Sequence, residues 1–188
     1  MRIDYLQIPG LALIYPSVFE DSRGYFFESY NKQSFVEAGI DEEFIQSNQS
    51  LSQKDVLRGL HFQVPPFAQS KLVRVIKGSV LDVAVDIRKG SPTYGQHYSA
   101  VLSEQNKLIF YVPVGFAHGF LTLEDDTIFS YKCGNIYHKL SEQGIIWNDP
   151  DLGIEWEVKK PVISAKDEVN PSFREFDSPF SFNQNSSL

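Results

Sequence analysis

Apolar and polar residues alternate with a period of two through much of this chain, the pattern of half-buried strands. The clearest strand pair is predicted between Lys71 and Arg88. Past a turn at Lys77-Gly78, Leu81, Val83, Val85 and Ile87 alternate there with Asp82, Ala84, Asp86 and Arg88. Asp82 and Asp86 fit the solvent side of such a strand, or the lumen if the sheet closes on itself. Further strands are expected at Leu11–Tyr15, closed by Pro16, and at Tyr25–Glu28 after the turn chemistry of Asp21-Ser22-Arg23-Gly24. The pattern continues at Phe44–Asn48, around 96–103 and 108–112, and at Ile154–Val158. Residues 119–123 and 127–133 read as a hairpin around Glu124-Asp125-Asp126. One short helix is expected over residues 31–40, with Asn31 as N-cap and Gly39 as stop. Many short strands at regular intervals, with no repeat and no linker, predict one all-β sandwich or barrel spanning residues 1–188. From Pro171 the composition shifts to Ser, Asn and Phe, and the pattern defines no path for the tail 171–188.

One stretch departs from a clean alternation. In Val56-Leu57-Arg58-Gly59-Leu60-His61-Phe62-Gln63 the period of two puts Leu57, Gly59, His61 and Gln63 on one face. Val56, Arg58, Leu60 and Phe62 fall on the other, so neither face is wholly apolar. Polar side chains inside a hydrophobic strand are costly unless paired. Lys71 follows ten residues after His61, and a second glycine-flanked histidine recurs in Ala117-His118-Gly119-Phe120. The combination points to a pocket that holds an anion and a titratable base.

Composition narrows the partners. The chain has 188 residues, 42% hydrophobic and 14% aromatic, enough for a sizeable core. Its formal charge is -7 with no basic stripe, which argues against nucleic acid. A single cysteine, Cys133, excludes an internal disulfide and a Cys-rich zinc site. No apolar run reaches the length of a membrane span, and the N-terminus lacks a basic-then-apolar signal, so the cytoplasm is expected.

Of the chemistries that histidines in a β-barrel invite, metal is disfavoured. Gln63 stands where a His-x-His pair with His61 would need its second ligand, and His97 and His138 sit in polar, surface-like surroundings. No serine lies in a nucleophile elbow and no glycine-rich phosphate loop is present. Metal-free acid–base chemistry remains. A histidine base needs a carboxylate to fix its tautomer, and Asp82, Asp86 and Asp167 are all candidates. An enolate formed next to a carbonyl needs a cation at the oxygen, for which Lys71 is the candidate unless it is a strand-end surface lysine; Tyr131 is a core tyrosine or, where it faces the same cavity, a donor to the opposite face.

Several motifs together resemble the dTDP-4-dehydrorhamnose 3,5-epimerase family. They include Phe19-Glu20-Asp21-Ser22-Arg23-Gly24-Tyr25-Phe26-Phe27-Glu28, Gln46-Ser47-Asn48-Gln49-Ser50, Leu57-Arg58-Gly59-Leu60-His61-Phe62-Gln63 and Gln69-Ser70-Lys71. Asp82–Arg88, Ser91–Gly95, Pro113–Phe120, Tyr131-Lys132-Cys133 and Trp147-Asn148-Asp149-Pro150 continue the likeness in order, from about residue 19 to 168. The resemblance implies a cupin-type jelly roll, a double-stranded β-helix with short peripheral helices, and a homodimer that exchanges N-terminal strands. It also implies epimerisation of a nucleotide-linked 4-keto-6-deoxyhexose, in dTDP-L-rhamnose biosynthesis, without metal or cofactor. By position, His61 matches the base, Asp167 its orienting partner, Lys71 the lysine beside the keto oxygen and Tyr131 the general acid. Arg58 and His118 match residues at the diphosphate. Arg23, Phe26, Glu28, Gln46 and Asn48 match nucleotide- and sugar-contacting positions, some reaching in from the partner subunit, and Tyr137 and Lys166 join the substrate-binding set. After Tyr137 the chain reads His138-Lys139-Leu140-Ser141-Glu142, where many relatives carry a proline. An epimerase acting at one carbon, or a non-catalytic sugar-binding cupin, is the alternative.

Overall fold

The computed structural model describes residues 1–183. Its strands, in chain order, are β1 (Arg2–Tyr5), β2 (Ala12–Tyr15), β3 (Val18–Asp21), β4 (Gly24–Phe27), β5 (Gln46–Ser52), β6 (Leu57–Gln63), β7 (Lys71–Lys77) and β8 (Ser79–Asp86). There follow β9 (Arg88–Lys89), β10 (His97–Ser103), β11 (Ile109–Val112), β12 (Phe116–Thr122), β13 (Thr127–Cys133), β14 (Glu142–Gly144) and β15 (Phe180–Ser181). Helix α1 (Lys32–Glu37) starts where the Asn31 side chain accepts hydrogen bonds from the amides of Gln33 and Ser34. It stops at Gly39, whose φ of +93° suits glycine.

Two antiparallel sheets face each other, one in the order β1-β2-β11-β7-β13-β5 and the other β10-β8-β12-β6-β14. From β5 to β8, and again from β11 to β14, each successive strand switches sheet. That alternation is the jelly roll, and it overturns two local expectations. Strands β7 and β8 do not pair across Lys77-Gly78, and β12 and β13 do not form a hairpin around Glu124–Asp126. A lone Gly78 at φ +78° is too short a link for a two-residue hairpin turn, so the chain rounds the corner into the other sheet. An alternating pattern looks the same on either side of a hairpin or a corner. The true hairpin is β8 with β10, in register from Val85–His97 to Ser79–Ser103.

The space between the sheets is filled by Val73, Val75, Ala84, Phe110, Phe120 and Phe129 among others. Outside the five-stranded sheet, Val83, Val85 and Ile87 are covered by Ile145, Leu152, Trp156 and Phe180. The apolar face of β8 therefore lies under the C-terminal segment, and its aspartate face turns inward. Asp82 and Asp86 are 0% exposed, correcting the solvent-side reading. Asp86 is satisfied by Arg88, Ser91 and Thr93. The covering segment is irregular: no strand forms at Ile154–Val158, where Trp156 instead donates its indole N–H to the Trp147 carbonyl at 2.8 Å. Part of the tail is ordered, because Ser178 donates to the Ile87 carbonyl and β15 pairs with β9 in parallel. Residues 184–188 of that tail lie outside the described residues. Helix α1 sits on the outer face of the six-stranded sheet through Phe35, against Ile14, Leu72 and Ile109.

Strands β3 and β4 stand apart as a two-stranded arm. Its Tyr25 ring lies 4.4 Å from the Lys107 ammonium, while Phe19 and Phe26, paired across the arm, are 66% and 70% exposed.

Candidate active site

The site is organised by an irregularity in β6. His61 lies opposite His118 on β12 and Arg58 lies opposite Phe120, so three residues of β6 span what two of β12 span. The extra residue is a β-bulge, and it reverses the parity of the strand. Arg58 and His61, expected on opposite faces, now point the same way, into the gap between the sheets. Gly59 makes this possible: its φ is +139°, and a Cβ there would sit 2.5 Å from the Gly119 Cα.

A cavity of about 530 Å³ opens in that gap, lined by Arg58, His61, Lys71, His118, Tyr131, Asp167 and others. His61 and His118 come from one sheet, Lys71 and Tyr131 from the other, so the His61 imidazole and the Tyr131 phenol occupy facing walls. His61 Nε2 meets Asp167 Oδ1 at 2.5 Å. Burial would raise the Asp167 pKa, but hydrogen bonds from His61, Ser164 and the Gly59 amide outweigh it and hold the carboxyl below the usual carboxylate range. Of the three candidate carboxylates, Asp167 is the one at His61. Asp82 meets His118 instead, at 2.8 Å, and Asp86 belongs to the Arg88 network.

Desolvation pushes the Lys71 ammonium below the ordinary lysine range, against the pull of charge at Cys133, Asp82 and Glu142. It likewise lowers the His118 imidazole, although Asp82 opposes it, and raises the Tyr131 phenol. The Tyr131 wall continues in Phe129, whose ring stacks on Phe120 at 4.1 Å. Val162 and Ile163 complete an apolar side.

A second lobe of about 410 Å³ shares His61, Lys71, Tyr131 and Glu142 with the first and adds Gln46, Asn48 and Tyr137. Gln46 and Asn48 project from β5, two residues apart, and bond to each other at 3.0 Å. Glu142, which the sequence pattern did not single out, joins the lobes. Its carboxylate takes a hydrogen bond from the Tyr137 hydroxyl at 2.8 Å and pairs with Lys166 at 2.6 Å. Those two contacts overcome its desolvation and keep its pKa low. Only the fold brings a residue of β14 to this spot, so no local signal marked it.

Three expected positions lie outside both lobes. Arg23 pairs with Asp21 at 2.6 Å and Phe26 is exposed on the arm, while Glu28 accepts from Asn31 at 3.1 Å. The polar histidines are half-buried: His138 stacks on Phe67 at 4.0 Å. Gln63 is spent on backbone groups (its amide donates to the Phe67 and Ile136 carbonyls), and among the described residues no three His, Cys, Asp or Glu cluster for a metal. No helix there is long and apolar enough to cross a membrane.

The comparisons bear on this geometry. The family model described as dTDP-4-dehydrorhamnose 3,5-epimerase matches residues 5–175. The enzyme of that name from Salmonella typhimurium strain LT2 is 52% identical over 166 residues, covering 87% of this chain and 91% of its own. A dTDP-6-deoxy-D-glucose-3,5-epimerase from Legionella pneumophila, solved with dTDP-4-keto-L-rhamnose, superposes with a TM-score of 0.90 at 46% identity, covering 94% of both chains. ChmJ, a 3'-monoepimerase from Streptomyces bikiniensis solved with dTDP-quinovose, superposes at 0.84 and 35% identity, covering 89% of this chain and 85% of its own. With the family model matched over residues 5–175, and relatives 46–52% identical over most of both chains, the chain belongs to the dTDP-4-dehydrorhamnose 3,5-epimerase family.

Proposed function

We propose that this chain, acting as one domain over residues 1–188, inverts C3 and C5 of dTDP-4-dehydro-6-deoxy-D-glucose in dTDP-L-rhamnose biosynthesis. The observation that carries the reading is the pairing of His61 and Tyr131 on facing walls of one cavity, with Lys71 on the Tyr131 wall. Asp167 holds Nε2–H of His61 and leaves the Nδ1 lone pair free to take a proton from carbon. Both carbons flank the C4 ketone, so the electron pair moves in each case onto the same oxygen. The Lys71 ammonium stabilises that oxyanion, more strongly for being desolvated. Tyr131 then protonates the opposite face of the ring; its raised pKa keeps the phenol neutral and able to donate. Arg58 and His118 hold the diphosphate, and Gln46, Asn48, Tyr137 and Lys166 the rest of the substrate. Arg23, Phe26 and Glu28 reach a site from the exchanged arm of a partner in a homodimer. No cofactor or metal is needed, so activity should survive dialysis against a chelator. The cytoplasm is part of the same proposal.

Deuterium incorporation at C3 and C5, followed by NMR beside reductase-coupled turnover, tests the assignment. His61→Ala should lose about two to four orders of magnitude in exchange while still binding dTDP. Exchange at the wild-type rate would remove His61 as the base. Tyr131→Phe should keep exchanging but lose the doubly inverted product. The likeness to a 3'-monoepimerase favours one alternative, an enzyme of one carbon, and wild-type exchange confined to C3 would establish it instead.

A further inference from the structure

The segment 135–138 carries Tyr137 to the mouth of the second lobe with no strand or helix to support it. Its backbone is gripped by side-chain amides instead. Gln69 donates to the Asn135 carbonyl at 2.7 Å, and Gln63 donates to the Ile136 carbonyl at 3.1 Å. The Tyr137 amide donates to Gln46 Oε1 at 2.8 Å, and the His138 amide to Gln63 Oε1 at 2.8 Å. Gln63 sends its second amide proton to the Phe67 carbonyl at 2.6 Å, which ties the neighbouring loop to the same point. It is 4% exposed and every hydrogen-bonding direction of its amide nitrogen is used.

An exposed loop has no need of this. Water would satisfy the same backbone groups, and fixing three glutamines costs rotamer freedom that water does not. What the grip gives is a set direction for the residue between the bonds. Tyr137 is itself 53% exposed and anchored at its far end on Glu142, so ring and backbone are both held while one face of the ring is left open.

We propose that Gln63, with Gln69 and Gln46, is a positioning residue that fixes segment 135–138 so that Tyr137 stands preformed at the mouth for the nucleotide end of the substrate. The proposal rests on the reading of Tyr137 as substrate-binding. All three glutamines border the second lobe, but the amides of Gln63 and Gln69 are turned onto the backbone of this segment, so their effect is expected in binding and not in the proton transfers. Preorganisation of this kind appears as affinity, because the ordering cost is met before the ligand arrives.

The test is a double-mutant cycle read by calorimetric titration with dTDP and by steady-state kinetics. Gln63→Leu should raise both the dTDP Kd and the KM by about tenfold while kcat stays within about threefold, the scale of one or two lost hydrogen bonds. Tyr137→Ala should weaken binding similarly, and the double variant should bind no worse than Tyr137→Ala alone. Gln69→Leu, in a loop rather than in β6, should show the same split more weakly, and it serves if Gln63→Leu does not fold. Additive losses in the cycle, unchanged Kd in both glutamine variants, or a fall in kcat alone would each overturn the proposal. If Tyr137→Ala bound dTDP normally while Gln63→Leu did not, the reading of Tyr137 would be what failed, and the grip would act on something else.

Discussion

Asp167 keeps its charge where few carboxylates would, at 2% exposure, because it accepts hydrogen bonds from His61, Ser164 and the Gly59 amide. Its folded pKa lies below the unfolded value of about 3.9, so the unfolded chain takes up the proton first. The stability it contributes is complete above that value and is lost as pH falls through the lower folded one. Urea midpoints of wild type and Asp167→Asn, measured from pH 6 to pH 3, should therefore differ by a constant amount and converge at the acid end. A gap that widened with acid would contradict the sign. Activity should fall by about two orders of magnitude or more in the same variant, since the amide no longer fixes the tautomer of His61. Periodicity alone left Asp82, Asp86 and Asp167 equal here, and only the family resemblance pointed to Asp167. His61 and Asp167 are separated by 106 residues, and no periodicity spans that distance.

The elements were readable where a signal is local. The Asn31 cap and the Gly39 stop framed α1, and the period of two marked most strands. Partners were not readable, because a corner between sheets and a hairpin share one pattern. The bulge in β6 is the decisive case: strict alternation separates Arg58 from His61, and only one extra residue at Gly59 unites them. Gly59→Ala should then be costly twice. Its methyl would meet the Gly119 backbone and its φ of +139° is one that alanine avoids, so a loss of about 2–4 kcal/mol is expected from urea unfolding. Where the variant remains folded, its turnover should still fall, because relief of the bulge moves Arg58 and His61 apart. An alanine variant with the wild-type midpoint and rate would leave the bulge without that role.

On the scale of the whole molecule the arm touches its own chain on one side, through Tyr25 at Lys107 and Phe27 at Arg74, and leaves the other side open. Phe19 and Phe26 form one exposed aromatic face, β3 and β4 pair among the described residues only with each other, and Arg23 lies outside both lobes of the cavity. Two large exposed aromatics on a short two-stranded hairpin are what the proposed dimer would cover. If the arm completes the site of a partner, as the family resemblance implies, the two halves of one site belong to two chains. Arg23→Ala damages the arm and leaves the body intact, while His61→Ala damages the body and leaves the arm. Each homodimer should be nearly inactive. Co-expressed in equal amounts, the two variants form hybrids in half of the dimers, and each hybrid carries one site with both its arm and its body intact, so about a quarter of wild-type activity should return. Were the arm to serve its own chain, every site in the mixture would keep a defect and nothing would be restored. Sedimentation of the mixture confirms that dimers are present, so silence could not be blamed on dissociation. Restored turnover in mixed dimers, and none in either parent, is the outcome expected.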